Sequence, residues 1–117
     1  MDREAQISEG HALLKSMREA FSISQFDGVV AAHEQLGTLA KVPRHVRLEA
    51  TCLAARAFIA QKDRSRARAL LKEAAAEQYS KPIHYDFLAH AFLDLRNYEE
   101  AARMCHQAHD LRAARDD

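Results

Sequence analysis

Cys105, His106 and His109 lie within one short stretch, RNYEEAARMCHQAHD, which covers residues 96–110. Residues four apart share a face of a helix, so Cys105 and His109 have a spacing that two metal ligands can use. No second spaced pair of ligands accompanies them, and Cys105 falls at an apolar position of the helical pattern. We therefore expect a buried thiol beside surface histidines, with no metal and no cofactor.

Other residue patterns that carry catalysis are missing from the sequence. It contains no phosphate-binding loop, dinucleotide fingerprint, nucleophile elbow or zinc-protease motif. Glu99 and Glu100 open a predicted helix, where acidic side chains interact favourably with its positive end. The basic run KDRSRARALLK has no interleaved aromatic residues to stack on bases, so it predicts a solvated helix face. We expect neither an enzyme nor a nucleic-acid-binding protein.

Composition limits the class of protein further. The 117 residues suffice for one domain, and 17 basic residues balance 17 acidic ones, so charge gives no reason to expect nucleic acid or an anionic membrane as partner. The 2 cysteines do not form a secreted disulfide framework. The start, MDREAQISEG, lacks the apolar core of a signal peptide, and no apolar run approaches the roughly 18 residues of a membrane span. These features predict a cytoplasmic protein without membrane insertion.

The fold class follows from residue usage and periodicity. Only 3 glycines and 2 prolines occur, whereas alanine, the strongest helix former, is abundant. The stretches LLKSMREAF and VVAAHEQL follow a helical rather than an alternating period. The sequence predicts an all-α chain.

An internal repeat organises these helices. When the chain is shifted by thirty-four residues, large apolar residues fall on large ones and small residues on small ones. Asp63 falls on Asn97, and both are turn formers suited to start a second helix. The other matched pairs are Ala55 with Ala89, Ala57 with Ala91, Phe58 with Phe92, Ile59 with Leu93, Ala67 with Ala101, Leu70 with Met104, Leu71 with Cys105 and Ala74 with Ala108.

An earlier, degenerate copy places Phe26 over Tyr98 and Val29 over Ala101. The spacing from this copy to the next is four residues longer than thirty-four, and we place the extra residues in the stretch AKVPRHVR. Pairs of helices of this length, with alanines and aromatics at fixed places, resemble the tetratricopeptide repeat. The resemblance implies a right-handed α-solenoid of three helix hairpins, about six helices, in a single domain with repeats near 8–41, 44–80 and 82–115.

In the tetratricopeptide family the first helix of each pair lines a concave groove that binds peptides or helices. The resemblance therefore implies a groove with large apolar members and few charges. Some members of this family bind the acidic tails of heat-shock chaperones with a clamp of basic residues. Because only Arg18 is basic at the matching positions here, we do not expect such a clamp. The matching positions are Leu14, Arg18, Leu53, Ile83 and Phe87. The partner-binding residues that the resemblance implies are Leu14, Arg18, Phe21, Leu53, Arg56, Ile59, Phe87, His90 and Leu93.

Two functions are compatible with this pattern. The first is an adaptor or small chaperone that binds a hydrophobic or amphipathic helical segment of a partner protein, as the small chaperones of type III secretion systems do. The second is a structural or assembly subunit that pairs with itself, for which the zero net charge offers little opposition. Occlusion of the groove by a second copy would distinguish the second function from the first.

Overall fold

The structure, a computed structural model, describes residues 2–116. These residues form an all-α fold of six helices without a β-strand, which confirms the predicted fold class. In chain order the helices are α1 Arg3–Ser22, α2 Phe26–Gly37, α3 Arg44–Ala60, α4 Arg64–Ala75, α5 Pro82–Asp94 and α6 Tyr98–Asp116.

Three nearly identical turns join α1 to α2, α3 to α4 and α5 to α6. Each contains one non-glycine residue with a positive φ, namely Ser24 at 60°, Lys62 at 65° and Arg96 at 63°. In each turn this residue donates its N–H to the carbonyl three positions earlier, and the next residue donates to the carbonyl five positions earlier. This is the Schellman arrangement that ends many helices, although glycine usually occupies the positive-φ position. The repeated turns divide the chain into three helix hairpins.

The longer step between the first two hairpins arises inside a helix. The loops before α3 and before α5 have the same length, whereas α3 has 17 residues and α5 has 13. Pro43 caps α3, and its carbonyl accepts the N–H groups of Val46 and Arg47. We expected the four extra residues around AKVPRHVR, and they form an additional first turn of α3 rather than extra loop.

The hairpins pack in the order of the sequence. The odd-numbered helices contact one another, α1 with α3 and α3 with α5, and each of α2 and α4 packs against the odd helices on both sides of it. Within residues 2–116, the backbone of α4 makes no close contact with the backbone of α2 or of α6. This contact order is the one that a stack of hairpins produces; the right-handed solenoid itself stays a prediction.

Alanines at the helix contacts allow this close packing. Ala54 and Ala57 of α3 are fully buried against the first hairpin, and Ala55 is fully buried in the cluster shared with α5. Phe58 and Phe92, which the repeat alignment places on each other, are both buried in that second cluster. The six third-repeat residues that carry the family resemblance are all buried, and they are Tyr85, Leu88, Ala89, Phe92, Ala101 and Ala108.

Cys105 departs from the sequence prediction. It was expected to be buried like its repeat partner Leu71, yet its side chain is exposed while Leu71 is fully buried. Leu71 packs in the cluster that includes α5 residues, whereas no helix follows α6 within the described chain. Met104, one position earlier, is buried in the core together with Ala101 and Ala108 of the same helix.

Candidate functional site

The exposed side of α1, α3 and α5, here called the odd-helix face, is tied together by charged side chains. Arg18 of α1 binds Glu49 of α3 with a separation of 2.5 Å, and Arg56 of α3 binds Asp94 of α5 with a separation of 2.6 Å. The guanidinium of Arg56 also lies 4.6 Å from the centre of the Phe21 ring. The hydrogen bond to Glu49 raises the pKa of Arg18. These contacts link the three odd helices across the face, while the apolar core clusters pack the helices together.

Most of the predicted partner-binding residues lie on or beside this face. Arg18, His90 and Leu93 are exposed, whereas Phe21, Leu53, Arg56, Ile59 and Phe87 are half-buried. Leu14 does not belong to it, because its side chain is only 3% exposed and lies in the core shared by the first hairpin and α3. It falls on the buried stripe of α1 with Gly10, Leu13 and Met17, so its inclusion among the exposed groove residues is a correction.

The apolar surface of the face is smaller than expected and is concentrated on α5. Phe21, Leu53, Ile59 and Phe87 already pack against the two core clusters. The most exposed large apolar side chains of this face are Ile83, 47% exposed, and the predicted Leu93, 48% exposed.

Histidines lie on all three odd helices. The rings of His11 on α1 and His45 on α3 are 6.0 Å apart between centroids, and His90 is exposed on α5. His84, at the start of α5, packs its ring against Tyr79, and its Nδ1 is buried without a hydrogen-bond partner among the described residues. Burial lowers the pKa of His84, and the positive neighbours His45, Lys81 and Arg44 lower it further.

A second concavity lies on another side of the molecule. The backbones of α2 and α4 stay apart and leave a furrow floored by α3, here called the α2–α4 furrow, with a cavity of about 560 Å³. His33, Leu70 and Glu73 line this cavity and also a neighbouring one of about 300 Å³. Burial lowers the pKa of His33. No sequence motif marks this furrow, because it arises from the spacing between two helices.

The two cysteines differ in their surroundings, since Cys52 is buried and Cys105 is exposed. Burial raises the pKa of the Cys52 thiol to about 12, which disfavours the thiolate that acts as a nucleophile. Across residues 2–116 no three histidine, cysteine or acidic side chains come together as a metal-binding group. Cys105 and His109 are both exposed on α6.

Two further findings bear on what the chain contacts. None of the helices described for residues 2–116 combines the length and the apolar character needed to cross a bilayer. No family model, curated protein or solved structure matches the chain. The resemblance to tetratricopeptide repeats consequently rests on the repeated residues of this sequence alone.

Proposed function

We propose that this chain is a tetratricopeptide-type interaction module, an adaptor or small chaperone, that binds a hydrophobic or amphipathic helical segment of a partner protein on the odd-helix face. The observation that carries the proposal is the pair Ile83 and Leu93, two large apolar side chains left about half exposed on one face of α5. The half-buried Phe87 lies between them on the same helix, and contiguous exposed apolar surface is typical of interaction sites.

The arrangement around them supports this function. Ion pairs from α1 to α3 and from α3 to α5 fix the odd helices, so a partner would meet a preformed surface and less ordering free energy would be lost on binding. The half-buried Phe21, Leu53 and Phe87 extend the apolar area between the helices. At ~25 cal/mol per Å², covering ~250 Å² of apolar surface gives a gross gain of ~6 kcal/mol before association costs are subtracted.

In the proposed role, this chain covers an apolar segment of the partner protein and keeps it from water until the partner assembles, as the small chaperones of type III secretion systems do. That narrower role rests on the size of the chain and on the apolar members of the face. It predicts a partner segment that aggregates alone and stays dispersed in complex with this chain.

Affinity capture from cells that express the chain tests the proposal. The test variant is Ile83→Glu with Leu93→Glu, two exposed positions where a carboxylate reaches water without disturbing the core. The matched control is Ile23→Glu, which changes an apolar side chain that is 64% exposed at the α1–α2 turn. A partner retained by the control and lost by the test variant supports the odd-helix face. Equal capture by both variants contradicts it.

Self-association is the second candidate function. The formal net charge is zero, which leaves little repulsion between copies, and the same exposed α5 residues could cover each other. Light scattering separates the two functions. A stable dimer that the Ile83→Glu, Leu93→Glu variant converts to monomer favours self-association, and a monomer of the wild-type chain favours a foreign partner.

A further inference from the structure

Most of the basic residues of α4 lie on the side of the helix that faces α6. Arg64, Arg68 and Lys72 recur every four residues, so they share one side of the helix over a length of about 12 Å. Arg64 donates a hydrogen bond to the carbonyl of Leu95, which caps the end of α5, so this side adjoins the turn that leads into α6. Arg66 lies on another side of α4, where it lines the smaller cavity beside the α2–α4 furrow.

A cavity of about 420 Å³ separates this side of α4 from the start of α6, and we call it the α4–α6 cleft. Arg68 and Lys72 line it on the α4 side, Asn97 and Arg103 line it on the α6 side, and the buried Phe92 contributes apolar surface. Its volume falls in the range of roughly 300–1,000 Å³ that is usual for ligand sites. The cleft shares no lining residue with the odd-helix face, so the two surfaces are separate.

The polar groups that the cleft offers to a ligand are donors. Arg68 and Lys72 form no ion pair or hydrogen bond within residues 2–116. Among the described lining residues the one carboxylate is Glu100, and both of its oxygens accept hydrogen bonds from the guanidinium of Arg103, at 3.1 and 2.7 Å. The side-chain oxygen of Asn97 accepts the N–H of Glu100, which leaves the amide nitrogen to donate. A matching ligand therefore supplies acceptors and negative charge.

The unpaired carboxylates of α4 and of the first turn of α6 lie outside the cleft lining. Glu73 adjoins Lys72 in sequence but lines the α2–α4 furrow, on the other side of α4. Glu99 precedes Glu100 and so points about 100° away from it around α6. Arg96, exposed in the turn before α6, forms no ion pair within the described chain and adds positive charge at this end. The surroundings therefore do not cancel the positive charge of the cleft.

The α2–α4 furrow, which is the corresponding space one hairpin earlier, has a balanced lining instead. Arg44 and Arg47 are matched there by Glu73 and Glu77. An excess of positive charge is therefore a property of the α4–α6 cleft and not of every space between even-numbered helices.

From this lining we propose that the α4–α6 cleft binds an extended acidic segment of a partner protein, with aspartate or glutamate at alternate positions. The row formed by Arg64, Arg68 and Lys72 is too long for a single anion, and its members are spaced about 6 Å apart along the helix. Alternate side chains of an extended segment point to the same side at a similar spacing of about 7 Å. Arginine binds carboxylates through two parallel N–H donors. This inference goes beyond the proposed function, since both the surface and the ligand differ.

Two synthetic peptides of twelve residues and one oligonucleotide test this inference. One peptide alternates serine with glutamate, the other alternates serine with glutamine, and the oligonucleotide is single-stranded hexathymidylate. Each bears tetramethylrhodamine, and its dissociation constant is measured by fluorescence anisotropy at 50 and 300 mM NaCl. We expect the glutamate peptide to bind most tightly and the glutamine peptide not to bind. The affinity of the glutamate peptide should fall about tenfold at the higher salt, because salt screens exposed charges.

Variants that remove equal charge assign the binding to the cleft. Arg68→Gln with Lys72→Gln removes two exposed positive charges of the cleft and should weaken the glutamate peptide about tenfold, as the loss of two exposed ion pairs predicts. The control, Lys15→Gln with Lys41→Gln, removes two exposed charges on α1 and in the loop before α3 and should change the affinity less than about twofold. Circular dichroism checks that both variants are folded.

Binding of the glutamate peptide that only the cleft variant weakens supports the proposal. Equal weakening by both variants, or no binding of the glutamate peptide, overturns it. Hexathymidylate that binds as tightly as the glutamate peptide also overturns it, in favour of a nucleic-acid site. A wild-type dimer that the glutamate peptide converts to monomer in light scattering overturns it too, because the occupant is then a second copy of this chain. None of these outcomes decides the function of the odd-helix face, which is tested through Ile83 and Leu93.

Discussion

Replacing Lys62 with glycine should stabilise the protein. Lys62 has a φ of 65°, a left-handed conformation that a residue with a Cβ adopts at a cost of ~1–2 kcal/mol. Glycine removes that cost, but it loses more conformational entropy on folding than lysine does, which offsets ~0.5–1 kcal/mol of the gain. Loss of a positive charge near the end of α3 subtracts a further ~0.3 kcal/mol. The expected net gain is ~0.5 kcal/mol or slightly more in the free energy of unfolding.

Urea denaturation followed by circular dichroism measures this change. The matched control is Lys72→Gly, because Lys72 is also an exposed lysine but lies inside α4, where glycine should destabilise the helix by ~0.5–1 kcal/mol. Arg96→Gly, in the equivalent turn of the third hairpin, should repeat the gain. If Lys62→Gly lowers stability as much as Lys72→Gly does, the left-handed turn and the repeat that it defines are wrong.

Four further outcomes follow from the packing and the pKa shifts. Phe92→Ala should lower the free energy of unfolding by ~3–5 kcal/mol in urea denaturation, because it leaves a cavity in the core shared by α3 and α5. Ala101→Leu should lower the melting temperature by an amount equivalent to ~1–3 kcal/mol, since a side chain that is 2% exposed has no room to grow. Burial lowers the pKa of His33 in the folded protein, so the unfolded chain binds a proton at this imidazole more readily. The free energy of unfolding should therefore fall as the pH drops from 7.5 to 5.5, and it should fall less in His33→Gln. A thiol reagent should modify Cys105 rapidly in the folded protein and Cys52 only after unfolding, because Cys105 is exposed and Cys52 is buried with its pKa raised to about 12.

The sequence was sufficient to predict the helices and their repetition. Small and large apolar residues recur at fixed steps, and pairs such as Phe58 and Phe92 occupy equivalent buried places. The predicted turn formers Asp63 and Asn97 do precede α4 and α6, and both side chains accept an N–H of the following helix. Such local rules depend only on neighbouring residues, so they survive without knowledge of the tertiary contacts.

The sequence did not predict features that depend on how the helices sit against one another. Leu14 was expected on the exposed groove and is buried, whereas Cys105 was expected to be buried and is exposed. Burial at these positions depends on which neighbouring helix covers a given side of α1 or α6. The left-handed turns went unnoticed because none of them carries the usual glycine. The α2–α4 furrow and the arginine pairs across the odd-helix face involve residues more than thirty positions apart, beyond the reach of helical periodicity.

Nuclear magnetic resonance mapping of the labelled chain with an amphipathic helical peptide that carries a leucine stripe tests the central claim most directly. Binding on the odd-helix face predicts that the largest amide shift changes occur around His45, His90 and Leu93, on α3 and α5. Changes centred on His33 and Glu73 would place the ligand in the α2–α4 furrow instead and would contradict the claim that the odd-helix face is the binding surface.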